Sequence, residues 1–162
     1  MDTFEQHKRA TRELLAKPPF GYRNISEEDI GLFASAVVHD SYSNEAGGVR
    51  NNERLEFLGD AVLEFVACEH IYQNTDMTEG GMTDMKQDIV RNRSISDAVL
   101  ASGIGLDDVM LVGGGHLDPA TKRPIVNENM RADAFEAMLA AVYLIYGMDD
   151  VRRIVRDVLV AC

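Results

Sequence analysis

At 162 residues, the chain has the length of one domain able to bury a substantial core. Its hydrophobic content of 46% is ordinary for a globular protein, and a formal net charge of −11 speaks against a binder that relies on a broad basic face. No apolar run is long enough to span a bilayer, and a polar, charged amino terminus predicts no signal peptide. Two distant cysteines, Cys68 and Cys162, make neither a disulfide framework nor a zinc site, so a cytoplasmic setting is expected.

In chain order, residues 3–16 predict a first helix ended by Lys17-Pro-Pro-Phe20, a segment with no evident functional content. Ser26 is a suitable N-cap for a helix running to about Val38, with Ile30, Phe33, Ala34 and Val37 on one side. His39 fits a helix-end hydrogen-bonding role better than a nucleophilic triad with Ser41. Ser43 to Arg50 reads as a loop, and a long helix follows from about Asn52 to Tyr72. Gly80-Gly81 breaks the chain before a helix starting near Met82, and Ser94 with Asp97 suggests a cap restarting a helix that stops at Gly103.

Residues 110–128 are the least regular stretch. Gly113-Gly114-Gly115 lacks the Lys-Ser/Thr ending and preceding strand of a phosphate loop and reads as a turn, with His116 a surface residue. A helix-rich, apolar segment from Ala132 to Tyr146 follows, then an amphipathic helix after Asp149 with Val151, Ile154, Val155, Val158 and Leu159 facing inward. The methionines, Met77, Met82, Met85 and Met138 among them, serve as flexible core fillers. No segment reads as a confident strand, so the expected class is all-α.

The acids carry the chemistry. Ala132–Tyr146 is apolar or aromatic except for Asp133 and Glu136, three apart and so on one helix face. Carboxylates on a core helix are unfavourable unless something positive meets them, and no Lys or Arg lies within that stretch. On the upstream helix, at about 100° per residue, Glu53, Asp60 and Glu64 fall on one line and Glu56 about 60° aside, opposite Leu55, Leu58, Val62, Phe65 and Val66. Taken alone, that stripe is as consistent with a solvated acidic face as with a site. Together, Glu56, Asp60, Asp133 and Glu136 make an all-oxygen donor set suited to Mg²⁺, with Mn²⁺ able to substitute, and to phosphodiester hydrolysis. Gly59, beside Asp60 in mid-helix, suggests a close helix approach, and Phe57 projects toward the acidic side as a knob for a second subunit.

Asn52-Glu-Arg-Leu-Glu-Phe-Leu-Gly-Asp60 resembles the signature of the ribonuclease III family, and Asp133-Ala-Phe-Glu136-Ala-Met-Leu-Ala-Ala-Val-Tyr143 resembles its second acidic motif. His39-Asp40-Ser41-Tyr42 resembles the segment that precedes the signature. The similarity covers roughly residues 25–160, and the expected domains are an N-terminal helical extension at 1–24 and a catalytic domain at 25–162. It implies a dimerising, all-α endonuclease domain that uses Mg²⁺ to cut double-stranded RNA in RNA processing, leaving 5′-phosphate and 3′-hydroxyl ends with two-nucleotide 3′ overhangs. By position, Glu56, Asp60, Asp133 and Glu136 match the metal-binding catalytic carboxylates, and Glu53 an additional acid near the scissile bond. Phe57 matches the aromatic at the dimer interface, and Glu79 resembles a further cleft acid usually supplied by the partner subunit.

Lys86, Arg91, Arg93 and Arg131 are the expected RNA-binding cations, with Lys122 and Arg123 nearby in sequence, and binding through so few is expected to be weak and salt-sensitive. Two positions depart from the family pattern: Asp40 replaces a usual basic residue and Arg131 a usual aliphatic one. The chain closes at Cys162 where many relatives carry a double-stranded RNA-binding domain, so a separate RNA-binding protein is a further candidate partner. The alternative is a non-catalytic dimeric RNA-binding or scaffold protein on the same fold, against which the four retained carboxylates count. A dinuclear iron or manganese oxidase needs Glu-x-x-His pairs, and here no histidine stands at ligand spacing.

Overall fold

In a computed structural model the chain folds almost wholly into helices; the structure describes residues 2–160. The elements are α1 (Thr3–Leu15), α2 (Glu27–Ala36), α3 (Asp40–Glu45), α4 (Glu53–Asn74), α5 (Glu79–Val90), α6 (Asn92–Ser102), α7 (Leu106–Val109), α8 (Glu128–Tyr146) and α9 (Met148–Val155), with a 3₁₀ turn at Gly114–His116 and a π-type turn at Arg156–Val160. Among the described residues, β structure is limited to isolated bridges, Val38 with Leu111 and Leu117 with Pro124. The all-α expectation holds. Cys68 is exposed and free, and Cys162 lies outside the described residues.

α8 is the axis of the fold. Twelve of its residues, from Met130 to Val142, are buried, and α4, α6, α2 and α9 pack around it. The α4–α8 contact is the most extensive, because α4 presents Leu55, Val62, Leu63 and Val66 to the small and apolar residues of α8. At Gly59 the two backbones nearly touch: a Cβ there would lie 1.8 Å from the Glu136 carbonyl oxygen. The close approach expected from a mid-helix glycine is therefore real, and it fixes the height at which the acidic residues of the two helices meet.

α1 packs on α2, with His7 Nε2 hydrogen-bonded to the Ala34 carbonyl at 2.9 Å, and Leu14, Leu15, Phe20 and Tyr22 join the same buried cluster as α4 and α8. Tyr22 stacks on Tyr146 at 4.0 Å, and its hydroxyl donates to Asp150 at 2.6 Å. The core thus runs continuously across the point between residues 24 and 25 where the sequence suggested an extension begins.

Local boundaries differ from the sequence reading in instructive ways. α5 starts at Glu79, with Thr78 as N-cap accepting from the Gly81 N–H, so Gly80 and Gly81 sit inside the first turn, whose N–H groups need no helical partner. α6 starts at Asn92, not Ser94, because the single extended residue Arg91 both ends α5 and begins α6. Residues 40–45, read partly as loop, form the short α3. Phe65, placed on the core side by the helical wheel, is 52% exposed. The core face of α4 centres on Gly59 and Val62, and Phe65 stands beyond its edge.

Replacing Gly59 with Ala would drive a methyl group into the α8 backbone, which has no rotamer to yield. The expected loss exceeds the usual overpacking range of about 1–3 kcal/mol. Chemical denaturation of the variant beside the parent chain measures it, and a loss below 1 kcal/mol would contradict the packing described.

Candidate metal centre

The α4–α8 crossing brings three carboxylates together. One oxygen from each of Glu56, Asp133 and Glu136 can be taken so that all three lie within 4.8 Å of one another. Glu136 is buried, whereas Glu56 and Asp133 are partly exposed, so the cluster reaches from the interior to the surface. Asp60 is not part of this tight group. It stands exposed one turn along α4, close enough that its charge acts on Glu56, Asp133 and Glu136. Glu53 is exposed at the start of α4, and its charge is felt by Glu56.

Burial, reinforced by the neighbouring carboxylates Asp60, Glu56, Asp133 and Glu64, pushes the Glu136 carboxyl up to about 8. Burial first and Asp133, Asp60 and Glu53 next raise Glu56. Asp133 is also raised, chiefly by burial; Asp60 adds to the effect and His39 opposes it. Among the described residues, no Lys or Arg is ion-paired with Glu56, Asp60, Asp133 or Glu136. A cluster that resists ionising and has no cationic side chain has the chemistry of a hard divalent-ion site, for which carboxylate oxygens are natural ligands. The residues present fit such an ion.

The expected RNA-contacting cations are mostly committed elsewhere. Arg131 requires correction: it is 7% exposed, and its guanidinium donates to both oxygens of Asp107 (2.8 and 2.6 Å), to Ser96 Oγ (2.7 Å) and to the Val126 carbonyl (3.0 Å). A buried guanidinium so engaged ties the start of α8 to α6 and α7 and is unavailable to a phosphate. Lys86 Nζ lies 3.6 Å from Glu64, the next acid along α4, which places it at the border of the acidic cleft. Arg91 pairs with Asp88, and Arg93 stands 4.0 Å from Asp97, both exposed. By contrast, Arg50, Arg54, Lys122 and Arg123 form no ion pair among the described residues, and Arg50 and Arg54 line one open cavity with Glu53 and Phe57.

Phe57 is 81% exposed. It begins a second apolar stripe on α4, continued by the exposed Ala61, Phe65, Cys68 and Tyr72. Glu79 does not join the carboxylate cluster of its own chain. It lines a cavity of about 230 Å³ with Cys68, Ile71, Tyr72, Met82, Thr83 and Lys86, near the far end of that stripe. The glycine triplet is a turn, as expected. Gly113 N–H donates to Ser41 Oγ at 2.8 Å and Gly114 N–H to Glu45, so two of its three N–H groups are already occupied. A Cβ on Gly113 would lie 2.9 Å from the Ser41 carbonyl oxygen, a backbone atom, so the turn favours glycine there.

A ribonuclease-III-like family profile matches residues 29–161. The chain belongs to the ribonuclease III-like family. It is 38% identical over 133 residues to ribonuclease 3 of Ectopseudomonas mendocina, covering 82% of this chain and 54% of that protein. It is 36% identical over 136 residues to ribonuclease 3 of Mycoplasmoides gallisepticum, covering 84% of this chain and 20% of the relative. The chain therefore spans about half the length, or less, of these relatives. The nuclease domain of ribonuclease III from Campylobacter jejuni superposes with a TM-score of 0.69 at 25% identity, covering 97% of this chain and 96% of that one; that structure has a flexible region involved in dimer formation. A second structure of the same Campylobacter jejuni domain gives a TM-score of 0.68 at 25% identity, covering 98% and 95%. The ribonuclease III-like signature and second motif thus lie on the two helices whose crossing builds the acidic cleft.

The raised Glu136 carboxyl sets a sign for stability. Between its ordinary value near 4.5 and about 8 the folded chain holds more protons than the unfolded one, so metal-free stability contributed by this group falls as pH rises through that window. A divalent ion relieves the penalty where the carboxylates are ionised. Melting temperatures with and without Mn²⁺ should therefore diverge progressively from pH 5 to pH 8, and the pH trend of the metal-free protein should flatten in Glu136→Gln. An Mn²⁺ gain that is the same at both ends of the range would contradict this account.

Proposed function

We propose that this domain is a divalent-metal-dependent endoribonuclease acting on double-stranded RNA as a homodimer. The observation that carries the reading is the convergence of Glu56, Asp133 and Glu136 from two helices to within 4.8 Å, with Asp60 beside them. Glu56, Asp60, Asp133 and Glu136 hold Mg²⁺, or Mn²⁺ in its place. An ion held there would supply Lewis acidity, lowering the pKa of water and offsetting charge on a leaving 3′ oxygen. Glu136, the most buried of the four, orients its carboxylate by packing. Glu53 lines the cleft mouth, and Lys86, with the unpaired Arg50, Arg54, Lys122 and Arg123, supplies phosphate contacts in an otherwise acidic molecule. Products bear 5′-phosphate and 3′-hydroxyl ends with two-nucleotide 3′ overhangs, the setting is cytoplasmic RNA processing, and a separate RNA-binding protein assists capture.

The dimer follows from the outer stripe of α4. A two-fold axis passing near Phe65 lays α4 antiparallel on its copy. Phe57 lies about 12 Å from that point and Tyr72 about 10 Å on the other side, at 1.5 Å per residue. Each Phe57 then meets the partner's cavity at Cys68, Tyr72 and Met82, an isologous contact. Because Glu79 lines the same cavity, docking also brings the partner's Glu79 toward the start of α4, where Glu53 and Glu56 lie.

A long perfect RNA duplex incubated with Mg²⁺, with EDTA as control, tests the reading. Glu136→Gln should retain duplex binding and cleave at least about 100-fold more slowly, at or beyond the upper end of what losing a mere outer-shell contact costs. Cleavage undiminished in that variant, or wild-type cleavage that persists in EDTA, removes the assignment. Phe57→Ala should shift sedimentation toward the monomer and lower double-strand cutting, while a variant that stays dimeric and fully active would refute the knob.

A further inference from the structure

The outer apolar stripe of α4 is bounded by opposite charges. At about 100° per residue, Arg54 falls at the same angle as Tyr72, so it heads the stripe that runs through Phe57, Ala61, Phe65 and Cys68. Arg54 is exposed and forms no ion pair among the described residues. The same is true of Arg50 in the loop before α4, and both line the open cavity beside Phe57. At the other end, Asp76 stands exposed between α4 and α5, and Glu79 is exposed at the first position of α5. Among the described residues neither carboxylate is ion-paired: Glu79 accepts from Thr83 Oγ1 at 3.1 Å, and Lys86, which lines the same cavity, lies 3.6 Å from Glu64 instead.

A two-fold pairing of α4 brings these ends together. Phe57 and the cavity at Cys68, Tyr72 and Met82 place the axis near Phe65, and charge plays no part in that placement. Arg54 lies eleven residues before Phe65 and Asp76 eleven after it; Arg50 lies fifteen before and Glu79 fourteen after. At 1.5 Å per residue, Arg54 stands about 16 Å to one side of the axis and Asn74, the last residue of α4, about 14 Å to the other, with Asp76 two residues further on. An antiparallel copy therefore carries the cationic end of one chain onto the anionic end of the other, twice per dimer. Such matching has weight in a chain of net charge −11, whose copies otherwise repel. It also answers a local need, because docking carries the partner's Glu79 toward Glu53 and Glu56, and Arg50 and Arg54 are the cations that flank Glu53 in the chain.

We propose that Arg54 pairs with Asp76 of the partner subunit, with Arg50 turned toward the partner's Glu79, in a two-fold ionic latch that sets the register of a second copy of this chain on α4. The latch rests on the homodimer reading and adds the charged contacts that fix its geometry. A guanidinium has five N–H donors and a carboxylate takes two of them, so Arg54 can hold the partner's Asp76 and still face a phosphate.

Rescue in trans tests the latch. Dimer dissociation constants of the full chain are measured by sedimentation without metal or RNA, with circular dichroism to check the fold. Arg54→Glu and Asp76→Arg should each dimerise at least about tenfold more weakly than wild type, since each sets like charges against one another at both ends of the interface. An equimolar mixture of the two variants should associate within a few-fold of wild type. In the mixed dimer one end joins the two reversed charges and the other end the two native ones, a recovery that a merely local effect on either chain does not give. Should a reversal fail to fold, Arg54→Gln and Asp76→Asn decide: each should loosen the dimer a few-fold, and the double variant no further than the single ones. Unchanged affinity in either reversal, a mixture no tighter than its components, or losses that multiply in the double variant overturns the latch. A wild-type chain that dimerises while the mixture shows no rescue loses this proposal alone. A wild-type chain that stays monomeric at millimolar concentration removes the homodimer reading and the latch with it.

Discussion

The contact between Gly59 and the Glu136 carbonyl governs the geometry of this domain. Two helices with ordinary side chains at their crossing keep their axes about 8–10 Å apart. A glycine against backbone permits the near end of that range, and side chains one turn to either side then reach across. Glu56 is three residues before Gly59 and Asp60 one after it, while Asp133 is one turn before Glu136 on α8. The carboxylates converge because the backbones do. A residue with no side chain thus sets the spacing of the acids, and the buried alanines of α8, Ala132, Ala134, Ala137, Ala140 and Ala141, keep that helix slim among its neighbours.

Such convergence works against folding in the absence of a cation. Glu136 is carried into the interior by a helix that is apolar on nearly every side, and its carboxyl is raised by burial and by four other acids. The remainder of the molecule is organised to tolerate this. Arg131, five residues before Glu136 on the same helix, does not turn toward the acids but is held by Asp107, Ser96 and the Val126 carbonyl. Had it reached the cluster, an internal ion pair would have satisfied the charge that otherwise favours a divalent ion. The departure from the family's usual aliphatic residue therefore anchors α6 and α7 to α8 and leaves the electrostatics of the cleft in place.

The elements most legible in the sequence are those governed by one local rule. Ser26 caps α2 by accepting from Asp29 N–H, Gly103 ends α6 in the left-handed conformation, and His39 caps α3. Carboxylates on a core helix violate patterning, which drew attention to both acidic motifs, and in the fold Glu56, Asp133 and Glu136 do come within 4.8 Å of one another. What remained hidden depends on tertiary partners. A helical wheel assumes one buried face, but α4 has a core stripe and an outer apolar stripe separated by acids, so Phe65 was assigned to the wrong one. Gly80 and Gly81 look like breakers until Thr78 caps the turn that contains them. Arg131 looks like a free cation in a list of residues, since nothing local announces Asp107, 24 positions earlier. Composition likewise counts charges without their partners, whereas folding leaves Arg50, Arg54, Lys122 and Arg123 without an ion pair among the described residues.

The three stripes of α4 also tie assembly to chemistry. At about 100° per residue, Leu55, Val62 and Val66 face the core, Glu56, Asp60 and Glu64 occupy the next sector, and Phe57, Ala61, Phe65, Cys68 and Tyr72 the one beyond. The acids are thus flanked by apolar surface on both sides. If a second copy covers the outer stripe, the acidic sector becomes the floor of a groove walled by two subunits, with less water above it and a lower effective dielectric. That change strengthens every charge interaction within the groove. It raises the demand for a divalent ion at the same moment that it brings the partner's Glu79 toward the cleft. On this helix, therefore, the surface that pairs two chains and the surface that would hold metal are adjacent strips of one cylinder, and neither can be altered without shifting the electrostatic setting of the other.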